Sequence, residues 1–456
     1  TRIWPLDLCP GNRFGTPGAD GSFRVSPNTA QHFWLTVNVP PDAPAGNYAG
    51  NLWLRTYRGT CSIPIYFTVL PIALADDPLL PHGVLMSGPQ DRAACRDLSL
   101  HGVNATSQWY RPAWMPVRYT RGSFSFDYQL QDAFMNRLAS EGITGPHIIF
   151  AGSARDAVLD RALTKASGIG LDDPSFAPAY AQAVQSIFSH GRKSGWNRTV
   201  WGILDRCLPD SAALDFFTVR AQAVKKLAGG TVSLIGPLIQ RQEREQAQEQ
   251  GEVEGERVER LFPCVDIWFT GGMNGQMRQV SPGGVRTWGY AACTQRNSAF
   301  ESRYQVGFGP WHRRLDGVFI WAYNWTGGGH SWNDFDGPVM DWMLSYRDLD
   351  DRYLPTPAWE GFREGVDDRR YILTMEMLLS SIHPADSLAR ESRLALESLR
   401  QVLEGHGIDS LHVAMPAESP VSTDNSPMGL ARSLIAGHII RLTRLFPPQD
   451  LDQNRR

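Results

Sequence analysis

The sequence predicts an α/β fold, a (β/α)8 TIM barrel, preceded by a small β-sandwich and followed by a helical C-terminal segment. Three observations predict it. Eight short apolar runs recur between residues 82 and 325, separated by stretches of helical periodicity or by long polar segments. The first 75 residues instead alternate apolar and polar side chains between Pro/Gly turns, the period of half-buried strands. From about residue 357 the pattern is helical to the end, with PAESPVSTDNSP (416–427) as a break. The expected organisation is a sandwich over 1–75, a catalytic barrel over 80–350 and a helical region over 357–456. At 456 residues the chain is too long for one hydrophobic core.

Each element has its own signal. FWLTVNV (33–39) sets Phe33, Leu35 and Val37 on one face, PPDAPAGNYAG (40–50) reads as a turn, and NLWLRTY (51–57) and SIPIYFTVL (62–70) as further strands. DDPLLPH (76–82) breaks the pattern as a linker. HGVLM (82–86) is then the first barrel strand, followed by a helix near 90–101 and GVNATS (102–107) as the second. The amphipathic 128–142 leads to PHIIFAG (146–152), a helix at about 177–193 to VWGILD (200–205), and a helix at 211–228 to TVSLIG (231–236). CVDIWFTGG (264–272), VRTWGYA (285–291) and GVFIWAYNW (317–325) complete the eight. The Gln/Glu-rich stretch 240–260 reads as a solvated helix or loop. In the tail, helices near 385–405 and 428–445 have apolar periodicity.

Composition narrows the function classes. A formal net charge of −3 favours neither nucleic acid nor an anionic membrane as partner. No apolar run approaches the roughly 20 residues that span a bilayer. The six cysteines are scattered without metal-ligand spacing, so no metal and no cofactor are expected. Cys9 and Cys61 are one conceivable pair; buried free thiols are the simpler reading of most of them. The chain opens at Thr1 without a methionine, as a processed product would, and a secreted or periplasmic address fits that opening. Fifteen tryptophans raise a carbohydrate partner, because indole rings stack on sugar faces as well as filling cores.

Catalytic groups in barrels sit where strands end. TVWGILDRCLP (199–209) stops abruptly on Asp205, with Arg206 next, so Asp205 is the first candidate for a catalytic carboxylate. The alternative is a strand-end aspartate that caps its loop or pairs with Arg206. Trp288, Tyr290, Trp321, Tyr323, Asn324 and Trp325 cluster at the ends of strands seven and eight and are candidates for a sugar-stacking wall; alternation requires that part of them fill the barrel or face the helices instead. The loop TGGGHSWNDFDGP (326–338) carries flexible glycines with His330 and Trp332, a composition that suits a substrate-contacting lid.

Two segments resemble glycoside hydrolase family 123 and its uncharacterised relatives. FWLTVNVPPDAPAGNYAGNLWL (33–54) resembles the strand–turn–strand signature of that family's accessory sandwich. AWEGFREGVDDRRYIL (358–373) resembles the helix just after its barrel. The order also matches over roughly residues 30–380. The resemblance implies a retaining β-N-acetylgalactosaminidase whose substrate's own acetamide oxygen attacks the anomeric carbon. An aspartate after strand four steadies that amide, and an adjacent glutamate protonates the leaving oxygen. Here the matching positions are Asp205 and Arg206: the aspartate carries over and the glutamate does not.

An arginine stays protonated and cannot act as that acid. Beside Asp205 it would also favour the carboxylate anion. Arg206 reads either as a substrate anchor, for example for a carboxylated or sulfated sugar, or as an outward-facing residue, since successive strand residues point to opposite sides. Glycosidic chemistry needs two carboxylates, so the acid would come from another loop: Glu301, Asp334 or Asp336 after strands seven and eight, Asp91 after strand one, or Asp156 after strand three. Asp266, inside strand six, and Asp316, before strand eight, read as structural. The expected partner is an oligosaccharide or polysaccharide that the chain hydrolyses, a β-linked N-acetylhexosaminide in the simplest version. The alternative is a carbohydrate-binding barrel that has lost its acid.

Overall fold

A computed structural model of the chain describes residues 2–5, 33–40, 42–76, 80–86, 88–152, 157–196, 198–204, 211–228, 231–236, 262–271, 284–333, 336–347, 352–406 and 424–446. These fall into two compact units. One runs over residues 80–367; the other takes residues 2–5, 33–76 and the chain from Asp368 onward.

The first unit is a closed eight-stranded parallel barrel. Its strands are His82–Leu85, Ala105–Trp109, His147–Phe150, Thr199–Leu204, Thr231–Gly236, Ile267–Gly271, Arg286–Ala292 and Gly317–Trp321. Each pairs in parallel with the next in sequence, and the eighth closes on the first through Val318↔His82 to Trp321↔Leu85. All eight expected runs are barrel strands, and the fold is a (β/α)8 barrel. Helices Arg92–Leu100, Gln129–Ser140, Phe176–Lys193 and Ser211–Ala228 lie where the periodicity predicts them. Two elements carried no strong sequence signal: the helix Val158–Ser167 and the small hairpin Val117–Thr120/Ser123–Phe126.

Alternation along the strands sorts side chains into two cores. Ile149, Trp201, Val232, Trp268 and Ile320 face the helices. Leu85, Ile148, Phe150, Val200, Ile267, Phe269, Trp288 and Phe319 fill the interior. Trp288 and Phe319 stack at 5.3 Å, and Phe269 meets both edge-on at 5.4 and 5.2 Å. Such large rings fit because facing positions are glycines. A Cβ at Gly83 would strike the Phe319 ring, and one at Gly202 the Phe150 ring. The interior is packed and is not a pore. Asp266 and Asp316 bond to the protein itself, as expected, and both sit at strand starts: Asp266 accepts from Val232 N at 2.8 Å and pairs with Lys225 at 2.7 Å, and Asp316 accepts from Thr287 N at 2.8 Å.

The helix Pro357–Ser381 begins on the barrel. Gly361 and Gly365, four apart on one of its faces, sit against the short helix Ala299–Val306. A Cβ at Gly361 would strike the Ala299 carbonyl, and one at Gly365 would come 2.6 Å from the Arg303 carbonyl oxygen. The neighbouring face carries a buried polar junction. Asp97 accepts from Tyr323 Oη at 2.8 Å and from Trp359 Nε1 at 3.0 Å. The His101 ring stacks on Trp359 at 4.5 Å, with Asp97 3.4 Å and Glu360 3.9 Å away. Arg363 reaches Glu360 at 3.1 Å and Glu364 at 2.8 Å. Burial works against a charge on His101, but the Asp97 and Glu360 carboxylates outweigh it and raise its pKa. Burial likewise opposes the Glu360 anion, and His101 and Arg363 outweigh it and lower the Glu360 pKa.

In the second unit the described N-terminal strands form two two-stranded antiparallel sheets, Arg2–Pro5 with Phe33–Thr36 and Gly46–Thr56 with Gly59–Val69. The expected sandwich of two packed sheets is not seen among the described residues. The second hairpin is longer than its signal: GNYAG, expected within a turn, is strand because Tyr48 pairs with Phe67 and stacks on it at 5.4 Å. Helices Ser387–His406 and Pro427–Leu445 match the expected tail. Ala75 N donates to Thr374 Oγ1 at 2.8 Å and Asp76 pairs with Arg370 at 2.7 Å, so the end of the strand segment is bonded to the later half of the long helix. Cys9, Cys207 and the 240–260 stretch lie outside the described residues; Cys95, Cys264 and Cys293 are buried thiols in no disulfide, as expected.

Two expected outcomes follow from the helix contact and the polar junction. Gly365→Ala should cost about 1–3 kcal/mol in denaturant unfolding, because backbone and not a flexible side chain blocks the added methyl. For His101, whose folded pKa is raised, the contribution is complete below the ordinary histidine range and is lost as pH rises through the raised value. For Glu360, lowered, it is complete above the ordinary carboxylate range and is lost as pH falls through the lowered value. The destabilisation by His101→Gln should therefore be larger at mildly acidic pH than above pH 8 (about, on the ordinary histidine scale); equal losses in both melts would contradict it.

Candidate functional site

The C-terminal ends of the strands gather at one mouth, and its described wall is built of tryptophan. Trp109 ends the second strand and Trp321 the eighth, and their rings meet edge-on at 5.0 Å. After the eighth strand the chain makes a second, smaller sheet, Asn324–Trp325 paired antiparallel with Trp342–Met343. That pairing brings Trp325 to 5.2 Å from Trp342 and sets both against Trp321, at 5.9 and 6.5 Å. Tyr290, from the seventh strand, packs partly buried on the same interior cluster. The Trp321–Ala322 peptide is cis.

Amides line the rim beside these rings. Gln90 Nε2 donates to the Gly88 carbonyl at 2.7 Å, and Gln90 Oε1 accepts from Asn324 Nδ2 at 2.6 Å. Asn324 Oδ1 is buried and accepts no hydrogen bond. Gln295 Oε1 accepts from Met343 N at 3.2 Å, which ties the small sheet to the loop after strand seven.

The described residues of the excursion 326–341, between the two short strands, are fastened at several points. Gly327 N donates to Asp341 Oδ1 at 2.7 Å, and His330 N to Asp336 Oδ2 at 2.8 Å. Trp332 Nε1 donates to the Arg347 carbonyl at 3.1 Å, and its ring lies 4.6 Å from Tyr346. The glycines serve close approach, since a Cβ at Gly327 would strike the Val339 carbonyl and one at Gly337 the Gly327 backbone. The expected lid is therefore a cross-braced loop.

The expected site residues separate accordingly. Trp321, Trp325 and Asn324 come together at the mouth, with Tyr290 beside them. Trp288 does not: it is wholly buried one layer deeper, stacked on Phe319. Tyr323 does not either: it is wholly buried, and its hydroxyl goes to Asp97 on the helix side. Trp288 is not the last inward residue of its strand, since Tyr290 lies two residues further along it. Tyr323 lies two residues past the end of its strand, where alternation no longer sets the side that a residue faces. His330 and Trp332 belong to the braced loop; His330 is exposed, with Nδ1 accepting from Trp332 N at 3.2 Å.

The carboxylates that the structure describes are engaged. Glu301 sits in the first turn of Ala299–Val306 and closes a capping box, accepting from Ser298 N at 2.8 Å while Ser298 Oγ accepts from Glu301 N at 3.1 Å. The Ser298 backbone bond first, with the Ser298 hydroxyl and Asn297 adding to it, holds the Glu301 carboxyl below its usual range, which suits an anion and not a proton donor. Asp336 is exposed and bonded to the His330 amide. Asp91 caps helix Arg92–Leu100 through Ala94 N at 2.8 Å and pairs with Arg347 at 3.2 Å. Asp205, Arg206, Asp156 and Asp334 lie outside the described residues. Among the described residues no cluster of His, Cys, Asp or Glu could hold a metal ion, and no helix is long and apolar enough to cross a membrane.

Sequence reasoning missed Trp109, Gln90, Trp342 and Asp341. Trp109 was legible in principle, because Ala105, Ser107 and Trp109 share one face and the strand runs two residues past its expected end. Trp342 had no signal: only the antiparallel pairing across 16 intervening residues, 326 to 341, brings it to Trp325.

The fold and this mouth define the chain as a (β/α)8 barrel protein with an aromatic opening. No family model matches the sequence, and no curated protein matches it. Solved structures that it resembles include a family 1 β-glucosidase from Thermotoga maritima, with 10% identity, a TM-score of 0.40, and coverage of 60% of this chain and 85% of that one. An endo-β-1,4-glucanase from Xanthomonas axonopodis pv. citri matches at 10% identity and a TM-score of 0.41, covering 64% and 99%. The endoglucanase Cel5A of Pseudomonas stutzeri matches at 10% and 0.38, covering 63% and 94%. At these values the likeness is one of barrel architecture.

The capping box gives an expected outcome. Glu301→Gln should cost about 1 kcal/mol or less in denaturant unfolding. If the variant instead unfolds like wild type and turnover collapses, Glu301 is an acid after all.

Proposed function

We propose that the chain is a glycoside hydrolase, family-123-like in architecture, that acts on an oligosaccharide or polysaccharide at the barrel mouth. A β-linked N-acetylhexosaminide is the simplest substrate of that reading. The observation that carries it is the mouth of four tryptophans, Trp109, Trp321, Trp325 and Trp342, with amide groups at the rim. Indole faces with few fixed polar groups are the surface that pyranose rings take up. Asp205, at the end of strand four in sequence, is the proposed catalytic carboxylate, with Arg206 as a substrate anchor. The proton donor comes from another loop, Asp334 being the candidate in the loop after strand eight.

A second reading is a carbohydrate-binding barrel without chemistry. What favours it is the state of the carboxylates: an arginine follows Asp205 where the resembling family has its acid, Glu301 and Asp336 are bonded within their own helix or loop, and Asp91 caps its helix and pairs with Arg347.

The test is mass-spectrometric product detection after incubating wild type and Asp205→Asn with neutral N-acetylhexosaminides, other neutral oligosaccharides and acidic oligosaccharides. The expected outcome is cleavage by wild type, reduced about a hundredfold or more in the variant. Binding without any cleavage selects the second reading.

A further inference from the structure

Building on the reading of the mouth as a glycan site, we propose that Trp109, Trp325 and Trp342 form a distinct binding position for an uncharged pyranose with equatorial substituents, beside Trp321, and that the Gln90–Asn324 amide pair bonds its hydroxyls. Three observations carry this.

The first is how the rings are held. Trp325 and Trp342 stand opposite each other on two paired strands, half-buried, and touch Trp321 and one another without filling the barrel. A hydrophobic core could be completed with any apolar pair at these positions. Three partly buried indoles around a fourth that is 4% exposed leave ring surface at the opening of an otherwise closed barrel. The cost of holding them there falls on the loop 326–341, whose cross-bonds and close glycine contacts fix the spacing of the two short strands.

The second is the polar group next to them. Asn324 Oδ1 is buried without a donor, while Asn324 Nδ2 and both polar ends of the Gln90 amide are used. A buried acceptor without a donor costs free energy unless a ligand or water supplies one. A sugar hydroxyl is such a donor, and it can accept from a neighbouring amide as well.

The third is the sign of the surroundings. The groups that border the rings are amides, from Gln90, Asn324 and Gln295. Among the described residues, the charges of this segment are bonded to the protein itself: Arg347 to Asp91, Asp341 to Gly327 N and Asp336 to His330 N. At this position, apart from the proposed Asp205–Arg206 end of strand four, an anionic sugar would bring a charge to described neutral dipoles. A ring with equatorial substituents presents axial C–H bonds on its faces, and those are what indoles can cover.

The test is calorimetric titration of wild type, Trp342→Ala, Trp325→Ala and Trp342→Phe with cellotetraose, xylotetraose and chitotetraose, and with a galacturonate tetramer as the anionic counterpart. Thermal melts of each variant establish that it is folded, and Trp342→Phe keeps an aromatic face on the short sheet where alanine removes it. The expected result is binding of at least one neutral tetramer, weakened about tenfold to thirtyfold by either alanine variant and much less by the phenylalanine. The galacturonate tetramer should bind more weakly than the best neutral one. Preference for the galacturonate, no binding of any neutral tetramer, or unchanged binding in folded alanine variants would each overturn the proposal. Cleavage of glycans by wild type is scored separately, so an active hydrolase whose binding ignores Trp342 would sink this position and leave the hydrolase reading standing.

Discussion

The carboxylate of Asp97 is the point on which the mouth and the barrel's closing both depend. It lies on the first helix and receives the hydroxyl of Tyr323 and the indole N–H of Trp359. Tyr323 follows the eighth strand by two residues, and Trp359 opens the helix that leaves the barrel. One buried acceptor therefore fixes the chain just past the seam of strands eight and one, and docks the next helix over it. Its burial makes it consequential. A hydrogen bond to a charged group away from water is strong, and a partner's removal would leave the charge uncompensated. His101 lies 3.4 Å from Asp97 and 3.9 Å from Glu360, and those two carboxylates raise its pKa against the effect of burial.

The path of the chain after Tyr323 follows from that anchor. With Tyr323 N bonded to Leu85 O at 3.1 Å and Leu344 N to Tyr323 O at 2.9 Å, the segments 324–325 and 342–343 must run side by side over the barrel end. Trp325 and Trp342 are neighbours as a result. The glycines of TGGGHSWNDFDGP look like hinges in sequence; in three dimensions Gly327 and Gly337 are places where two stretches of backbone come close, and Gly328 makes room for the Asp336 side chain. A rigid rim is also what a stacking site needs, because preorganised rings lose little freedom when a sugar arrives.

The barrel was legible because its signal is local and repeated. A buried parallel strand is a short apolar run, a covering helix has a 3.6-residue period, and eight repeats average out individual ambiguity. The strand-end rule then pointed to Trp321, Asn324 and Trp325, which come together at the mouth, and to Trp288 and Tyr323, which are wholly buried away from it. Separating the two groups requires knowing where each strand stops, and so which inward residue is last. Glu301 illustrates a different ambiguity: Ser298 at the cap and Glu301 three residues on are a helix-start signal, which in sequence reads just as well as a free carboxylate in a loop.

By itself, the sequence determined the class of fold, the order of the eight strands and the presence of an unusual supply of tryptophan at two strand ends, since each is written in residues close together along the chain. The tertiary structure alone decided which aromatic rings meet and which carboxylates are already committed. Trp109 and Trp342 are 233 positions apart in the chain and reach one opening only because a barrel closes and a short sheet folds back over it. Whether a carboxylate is a proton donor or a helix cap depends on the atoms within 3 Å or so of it, a distance set by packing and hydrogen bonds and not by neighbours in sequence.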